Sequence, residues 1–515
     1  MTKRSYIVLT LILCSLPVLA QLNPQSKKVT ERYFPDADSI EEITPALQKK
    51  RGFTNYDELI NFITQLQVKH PKLISISYIG ESQKGKKIPL VRLTNPDKTD
   101  KTRVWMQGGL HGNEPASTEG VLYLLYQLLN NPKYTYLLDT IDLAVVPMAN
   151  IDGYEKQSRY AANGLDLNRD QTKIMAPETV ALKQAFSNFN PEVGVDFHEY
   201  NAYRRDFAKM GRFGITTLYD IMFLYTGNLN VPENMRRFTN TVFVNNARKA
   251  LDTNGLRYHD YMTTGDYMGD TEFNLGSIHA RSSATSYALT NAVSTLIEVR
   301  GVNLGRTSFK RRIATTFIIG LSYLETAYHN QNEIKEEIAQ AEKTQPKITV
   351  TSVRKEYKDT IQVIDLDTYE TMALDVTIHD ALQSSPKLVR SMPLAYIISA
   401  DQEALIEKLH LLGITTETLS EPKELTVEAY QITAYDNKGE LYEKMNRQTV
   451  ETQLETKTMT FPAGTYFITT NQKNTPLLCE VLEPEAPNSF VNFGVLKTDL
   501  NNELPIYRLD RKSVV

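Results

Sequence analysis

The chain has 515 residues and a formal net charge of −4 at pH 7. It carries no basic patch and no lysine- or arginine-rich run interleaved with aromatic residues, which argues against a nucleic-acid partner. A chain of this length can bury a core large enough to fold without disulfide bonds, and it contains only two cysteines.

The first twenty residues have the composition of a secretory signal. Lys3 and Arg4 give a positive start, "YIVLTLILCSLPVL" is an apolar core, and "VLA" is a small-residue cleavage site that ends at Ala20. The apolar core is too short to span a bilayer comfortably. We therefore expect residues 1–20 to be a signal peptide, and the mature protein to be secreted or periplasmic with no transmembrane span. Lipidation of Cys14 stays open, although the preceding "LIL" lacks the small residue that such processing prefers.

Residues 21–45 are polar and are predicted to form an extended lead-in. Beyond them, apolar runs alternate with helical stretches such as "STEGVLYLLYQLLNN". The runs "TRVWMQ", "IDLAVVPMAN", "VGVDFH" and "STLIEV" are typical of buried strands. This alternation predicts an α/β fold in which helices cover both faces of a sheet. Sites in such sheets form beyond the carboxyl ends of the strands.

Three side chains at the ends of these runs have the chemistry of metal ligands. His111 and Glu114 follow the first run, and His198 ends the third. Two imidazoles and one carboxylate are a complete set of protein ligands for a catalytic zinc ion, with the fourth tetrahedral position open for water. For His111 alone, an ordinary core or loop histidine is an equally good interpretation. The three residues together predict one zinc ion per chain.

Several motifs in a fixed order carry a resemblance to a known family. They are "HGNE", "NIDGY", "RYAANGLDLNRD", "DFHEY" and "LIEVRG". On these motifs the chain resembles a zinc carboxypeptidase of the carboxypeptidase A type over residues 50–330. The resemblance implies a mixed, mostly parallel sheet with helices on both faces, in a catalytic domain over residues 46–342. It also implies hydrolysis of peptides that carry a free C-terminal carboxylate.

The resemblance implies roles for further residues. Glu298, in "STLIEVRG", would be the general base that takes a proton from a zinc-activated water and returns it to the leaving amine; a buried ion pair with Arg300 or another cation is the alternative. Arg159 would stabilise the oxyanion of the tetrahedral intermediate, unless it is an ordinary surface arginine. Asn168 and Arg169 would hold the terminal carboxylate, because a planar guanidinium matches a carboxylate with two hydrogen bonds.

No single residue in the sequence predicts the substrate preference. The family's mobile active-site tyrosine has two candidates in this sequence, Tyr267 and Tyr287. The residue that lines the specificity pocket cannot be placed within "GSIHARSSATSYALTN". The sequence therefore predicts hydrolysis without predicting which C-terminal side chain is removed.

The catalytic domain is predicted to end with one long helix, "SFKRRIATTFIIGLSYLETAYHNQNEIKEEIAQAEKT". Its predicted apolar face consists of Ile313, Phe317, Leu321, Leu324 and Tyr328.

The pattern changes from residue 348. Short strand candidates such as "KITVTSV" and "DTIQVIDL", with one helix in "QEALIEKLHLLG", predict a smaller α+β or mostly β domain over residues 348–515. We expect this domain to pack against the catalytic domain or to restrict substrate access. Its Cys479 would be alone in the mature chain, so no internal disulfide bond is expected.

The favoured function is a secreted or periplasmic zinc metallocarboxypeptidase. One alternative is a zinc amidohydrolase or deacylase acting on N-acyl amino acids or cell-wall peptides; the signal segment favours the carboxypeptidase. A second alternative is a non-catalytic peptide-binding relative. The presence of Glu298 beside a full ligand set argues against that alternative.

Overall fold

The structure is a computed structural model that describes residues 25–204, 207, 210, 212–264, 271–343, 346–437, 439 and 441–510. The expected signal segment, with Cys14 and Ala20, lies outside the described residues, and so does Tyr267. Within the described ranges, no helix is both long and apolar enough to cross a membrane.

Eight strands of the first part of the chain build one large sheet, and three others belong to a second sheet. They are β1 (Ile74–Glu81), β2 (Lys87–Leu93), β3 (Thr102–Gln107), β4 (Ile141–Val146), β5 (Val193–Tyr200), β6 (Ile215–Thr217), β7 (Ile221–Leu224), β8 (Tyr258–Asp260), β9 (Met262–Thr263), β10 (Glu272–Leu275) and β11 (Val293–Arg300). Strands β6, β9 and β10 belong to the second sheet, and the large sheet has the order β1-β2-β4-β3-β5-β11-β7-β8. Its centre, β4-β3-β5-β11, is parallel, whereas β1–β2, β2–β4 and β11–β7 pair antiparallel.

The helices occur along the whole chain. They are α1 (Lys27–Tyr33), α2 (Tyr56–Lys69), α3 (Pro115–Asn130), α4 (Pro132–Thr135), α5 (Ile151–Glu155), α6 (Pro177–Phe189), α7 (Glu233–Phe238), α8 (Asn245–Thr253), α9 (Ser283–Ala288), α10 (Phe309–His329), α11 (Gln331–Ala341), α12 (Glu403–Leu411) and α13 (Thr475–Leu482).

The central strands are covered on both faces. Every residue of β4, β5 and β11 is buried, and successive side chains of a strand point to opposite faces. Helices α3 and α10 contact β3 and β5, and α9 contacts β5 and β11. The predicted α/β architecture, a mixed sheet covered by helices, is therefore confirmed.

The second part of the chain is mostly β. Its strands are β12 (Lys347–Asp365), β13 (Thr371–Ser391), β14 (Ala395–Ile398), β15 (Glu417–Thr418), β16 (Lys423–Asp436), β17 (Leu441–Tyr442), β18 (Met445–Asn446), β19 (Thr449–Phe461), β20 (Tyr466–Thr469) and β21 (Glu503–Leu509). One sheet has the order β15-β20-β14-β21-β16-β19. The long hairpin β12–β13 instead joins a sheet with earlier strands, in the order β6-β12-β13-β10-β9. A domain boundary between residues 342 and 348 stays a prediction, since strands on either side of it share this sheet.

The lead-in over residues 21–45 was predicted to be extended, but it contains α1. The Ser26 hydroxyl accepts a hydrogen bond from the Val29 amide at 3.5 Å and caps the helix. Val29 and Phe34 are buried in one cluster with Ile364 of β12. A seven-residue helix is marginal by itself, so these distant contacts are what stabilise it.

The single long helix predicted after residue 307 is in fact two helices, α10 and α11. The break is at Asn330, whose backbone has φ −116° and ψ 26°. Its side-chain amide donates to the Thr326 carbonyl at 2.7 Å, and such side-chain bonds compete with helix continuation. The predicted apolar face is only partly correct: Ile313 and Leu324 are buried, whereas Phe317, Leu321 and Tyr328 are half-buried.

A buried carboxyl joins α13 to the first part of the chain. Glu480 is 3% exposed, and its Oε2 accepts hydrogen bonds from the side-chain amides of Asn228 at 3.2 Å and Asn230 at 3.1 Å. Burial raises the pKa of Glu480 to about 7, although these two hydrogen bonds act to lower it. The folded protein therefore holds this proton more tightly than the unfolded chain does.

This difference predicts a pH effect on stability. The contribution of the neutral Glu480 is fully present below the unfolded-state pKa and is lost as the pH rises through the folded-state pKa, by up to roughly 3 kcal/mol. We expect Glu480→Gln to gain stability relative to the wild type between about pH 4.5 and about pH 7.5, because an amide has no such proton to lose. Urea unfolding of both proteins across this range measures the difference, and parallel pH profiles would contradict it.

Candidate active site

Polar side chains gather at the carboxyl ends of the parallel strands. His111 lies in the loop after β3, and Glu114 stands at the N-terminal boundary of α3. His198 on β5 and Glu298 on β11 are direct neighbours across the two strands. Because β3, β5 and β11 run in the same direction, their ends meet at one edge of the sheet. Residues separated by up to nearly two hundred positions in the sequence therefore lie side by side.

His111, Glu114 and His198 point their donor atoms at one another. Nδ1 of His111 is 2.7 Å from Glu114 Oε1, and Nδ1 of His198 is 2.9 Å from Glu114 Oε2. The two Nδ1 atoms are 3.0 Å apart. All three side chains are at most 3% exposed. This is the one group of histidine and carboxylate side chains within the described residues that is close enough to share a metal ion.

Two further carboxylates orient the imidazoles. Asp166 Oδ1 is 3.0 Å from His111 Nε2, and Asp196 Oδ2 is 2.8 Å from His198 Nε2. With the N–H of each ring directed to a carboxylate, the lone pair of each Nδ1 is available to a metal. Sequence reasoning missed both aspartates. Asp196 could have been identified from the sequence, because it precedes His198 by two residues and residues two apart on a strand share a face.

The arrangement fits zinc. Donor atoms 2.7 to 3.0 Å apart need only a small expansion to reach the roughly 3.3 Å spacing implied by tetrahedral bonds of 2.0–2.1 Å. Burial acts to lower the pKa of His198, but Asp196 and Glu114 outweigh it and hold that pKa well above its ordinary value. The same carboxylates would favour a divalent cation at Nδ1. Two imidazoles and a carboxylate are a donor set that zinc enzymes use.

Glu298 borders the metal-ligand group without belonging to it. Its side chain is 8% exposed. Burial raises the pKa of Glu298 to about 7; the charge of Glu114 acts in the same direction, whereas His198, His111 and Arg159 oppose it. A carboxyl with a pKa near neutrality can both accept and release a proton at neutral pH.

Glu298 and Arg300 do not form the ion pair that was considered as an alternative. The Arg300 guanidinium donates to Gln25 Oε1 at 2.8 Å, to the Thr217 carbonyl at 2.7 Å and to Thr216 Oγ1 at 2.9 Å. Among the described residues no ion pair joins Arg300 to Glu298, so nothing of this kind neutralises the carboxyl.

Arg159 is held in place by Asp166. Its Nε and Nη2 lie 2.9 and 2.8 Å from Asp166 Oδ2. The remaining Nη1 is 3.3 Å from His111 Nδ1 and 3.8 Å from Glu114 Oε1. The side chain is one-third exposed and lines the cavity described below. Arg159 is therefore a cation held by Asp166 beside His111 and Glu114.

Asn168 and Arg169 lie on a short 3-10 helix, Leu167–Arg169, next to Arg159. Asp166 accepts a hydrogen bond from the Asn168 amide at 2.8 Å, and Asn168 Oδ1 accepts one from the Ser283 amide at 2.9 Å. Arg169 Nη1 donates to the Asn168 carbonyl at 2.8 Å. Both side chains line the same cavity as His111 and Glu298.

The cavity has a volume of about 570 Å³. Tyr287 does not reach it: this tyrosine is 1% exposed, stacks on Phe186, and donates to Gln107 Oε1 at 2.9 Å. The tyrosine that does line the cavity is Tyr261, which the sequence analysis did not consider. Burial, with Glu298 acting in the same direction, raises the pKa of Tyr261 to about 12, so it carries its hydroxyl proton. The sequence feature that could have identified Tyr261 is its position directly after strand β8.

Comparison with known proteins gives a consistent result. The sequence pattern of the zinc carboxypeptidase family matches residues 59–204. Carboxypeptidase 2 of Trichophyton rubrum is 30% identical over 442 residues, which cover 83% of this chain and 81% of that protein. Carboxypeptidase 2 of Trichophyton equinum is 31% identical over 443 residues, with coverage of 83% and 81%. Among solved structures, carboxypeptidase A of Helicoverpa armigera is 18% identical, covers 56% of this chain and 78% of its own, and has a TM-score of 0.43.

Proposed function

Since the chain belongs to the zinc carboxypeptidase family and is a metallocarboxypeptidase, we propose that it removes single residues from peptides with a free C-terminal carboxylate. In this proposal His111, Glu114 and His198 hold one zinc ion, and Glu298 moves the proton. The observation that carries the proposal is the placement of a buried Glu298 next to three converging ligands in a cavity lined by arginines. The curated relatives of similar length are named carboxypeptidases, which favours this function over a deacylase.

Glu298 would move one proton through the reaction. When bound, zinc supplies a Lewis acid that polarises the scissile carbonyl and makes a water molecule more acidic. As that water attacks the carbonyl carbon, its proton passes to a Glu298 carboxylate oxygen. The C–N bond then breaks, and the same proton passes to the leaving amine nitrogen. Burial favours the protonated form of Glu298 and raises its pKa, which supports its role as an acceptor of the proton of water.

Arg159 would stabilise the negative charge that develops on the carbonyl oxygen. Its guanidinium is fixed by Asp166, so the Nη1 donor is aimed before substrate arrives. A fixed donor that need not reorganise during the reaction is worth several kcal/mol in a water-poor site.

Asn168 and Arg169 would hold the terminal carboxylate. Arg169 is half-buried, and among the described residues no carboxylate lies within 4.0 Å of it to neutralise its charge. A substrate carboxylate could therefore take the charge-assisted position that a protein carboxylate occupies for most buried arginines.

Amidated peptides test this assignment. We expect that amidating the C-terminus of a good substrate lowers kcat/KM of the wild type by roughly tenfold to hundredfold, because the charged contact is lost. The same amidation should cost Arg169→Ala far less, since its contact is already absent. The measurement is the rate at which the C-terminal residue, or its amide, is released, as determined by mass spectrometry.

Arg32→Ala is the matched control, because Arg32 pairs with Glu370 on the surface. This variant should lose as much on amidation as the wild type does. Equal losses in Arg169→Ala and the wild type would show that Arg169 does not hold the carboxylate, and would point to an endopeptidase or amidase.

We further propose that residues 1–20 direct export of the protein to the periplasm or the medium, with cleavage after Ala20. The support is the charged start, apolar core and small-residue end of this segment.

A further inference from the structure

The active-site cavity is strongly cationic. The arginines that line it are Arg159, Arg169, Arg204, Arg281 and Arg354. Among the described residues, the acidic side chains that line it are Glu298 and Glu199, and Glu199 is paired with Arg312 at 2.7 Å. Arg159 is likewise paired with Asp166. The described lining therefore holds more arginines than the proposed reaction and one terminal carboxylate require.

Arg281 and Arg354 account for much of this excess. Within the described parts of the chain, no carboxylate lies within 4.0 Å of either guanidinium. Arg281 lies over the ring of Tyr442 at 5.0 Å, and Arg354 Nη1 donates to the Asn274 side-chain oxygen. Burial lowers the pKa of Arg281 to about 10, and Arg169 acts in the same direction. The two arginines are thus partly desolvated cations whose protein partners are neutral or aromatic groups.

His279 shares this cavity with the arginines. It lines the cavity, and its Nδ1 is buried without a hydrogen-bond partner among the described residues. Burial lowers the pKa of His279 to about 3, and Arg281, Arg354 and Arg169 all add to the effect. Arg169, Arg281 and Arg354 therefore share one cavity with His279 and add positive potential there. His279 itself is neutral at physiological pH and adds no charge.

We propose that Arg281 and Arg354 bind a second carboxylate of the substrate, so that the enzyme prefers an acidic side chain, aspartate or glutamate, on the residue that it removes. This inference rests on the proposed carboxypeptidase function. The terminal carboxylate occupies Asn168 and Arg169. The side-chain carboxylate of the same residue, only a few bonds away, reaches Arg281 and Arg354. Arginine suits this task because its fork matches a carboxylate with two hydrogen bonds.

The second part of the chain helps to build this subsite. Arg354 belongs to β12, and Tyr442, which packs on Arg281, belongs to β17. The adjacent Glu443 accepts a hydrogen bond from the Asp166 amide at 2.8 Å, beside the metal ligands. The region after residue 348 is therefore part of the substrate pocket, and it acts on specificity by supplying a cation.

The test uses peptides that differ only in their last residue. Glutamate and glutamine have nearly the same shape, so their ratio of kcat/KM isolates the charge. We expect the zinc-loaded wild type to favour glutamate over glutamine by roughly tenfold to hundredfold, with lysine the poorest C-terminal residue. Arg281→Gln and Arg354→Gln should each move the ratio toward one. Arg354→Glu should move the preference toward lysine.

Arg32→Gln is the control. Arg32 pairs with Glu370 on the surface and does not line the cavity. This variant should keep the wild-type ratio. A wild type that releases glutamine or lysine as fast as glutamate would overturn the acidic preference while leaving the carboxypeptidase function intact. So would an unchanged ratio in both Arg281→Gln and Arg354→Gln. A zinc-loaded enzyme that releases no C-terminal residue at all would overturn the proposed function itself.

Discussion

Glu298→Gln should keep the fold and the zinc ion while kcat falls by roughly a hundredfold to ten-thousandfold. The substitution preserves shape, but an amide cannot accept a proton from water and return it to the leaving amine. Glu298 is buried on β11, directly across from His198. The measurement is kcat for release of a C-terminal residue, together with zinc content by mass spectrometry and the thermal unfolding temperature.

Glu480→Gln is the matched control for this variant. Glu480 is also a buried glutamate whose pKa is raised to about 7, but it contacts Asn228 and Asn230 and does not line the cavity. Its loss should leave kcat near the wild-type value. If Glu298→Gln kept near wild-type turnover with full zinc content, another group would have to carry the proton.

His198→Ala should lose most of the zinc and nearly all activity. In the proposed site, His198, His111 and Glu114 offer one donor atom each to a single ion, and a catalytic site has no spare protein ligand. Losing a ligand should cost more than the tenfold to hundredfold that is typical for a residue that only orients a ligand. The number of zinc ions per chain after dialysis against a weak chelator measures the loss of metal. The activity that added zinc restores is measured in parallel.

Two further variants serve as comparisons for His198→Ala. His410→Ala removes an exposed histidine whose Nε2 lies 2.8 Å from Thr416 Oγ1. This variant should keep its zinc. Asp196→Asn leaves His198 in place but weakens its orienting hydrogen bond, so its zinc affinity should fall to an intermediate value. Full zinc occupancy in His198→Ala would overturn the ligand assignment.

The metal-ligand group could be predicted because its signals are local. His111 and Glu114 are three residues apart, and each of the distant partners, His198 and Glu298, sits in its own apolar run. Runs of that kind form buried strands in an α/β sheet, and parallel strands bring their carboxyl ends to one edge. The pattern of hydrophobic residues therefore carried enough information to expect these four side chains together.

Hydrophobic periodicity failed where a distant contact or a polar side-chain bond decides whether a helix forms or ends. Helix α1 forms because Val29 and Phe34 are buried beside Ile364, a contact across more than three hundred residues. The helix after residue 307 ends early because the Asn330 side chain bonds back to Thr326. Hydrophobic periodicity is insensitive to both effects, since it describes one segment at a time.

The sequence by itself predicted the fold class and the three candidate metal ligands, because these depend on short-range spacing and on the shared direction of parallel strands; the role of Glu298 came from the resemblance. Only the tertiary structure decided which tyrosine and which arginines line the cavity. Tyr261, between β8 and β9, lines the cavity, whereas Tyr287, within α9, does not. Arg354 reaches the cavity from β12 because the β12–β13 hairpin pairs with β6 and β10. Long-range pairing of this kind sets the charge of the pocket, and no local pattern in the sequence encodes it.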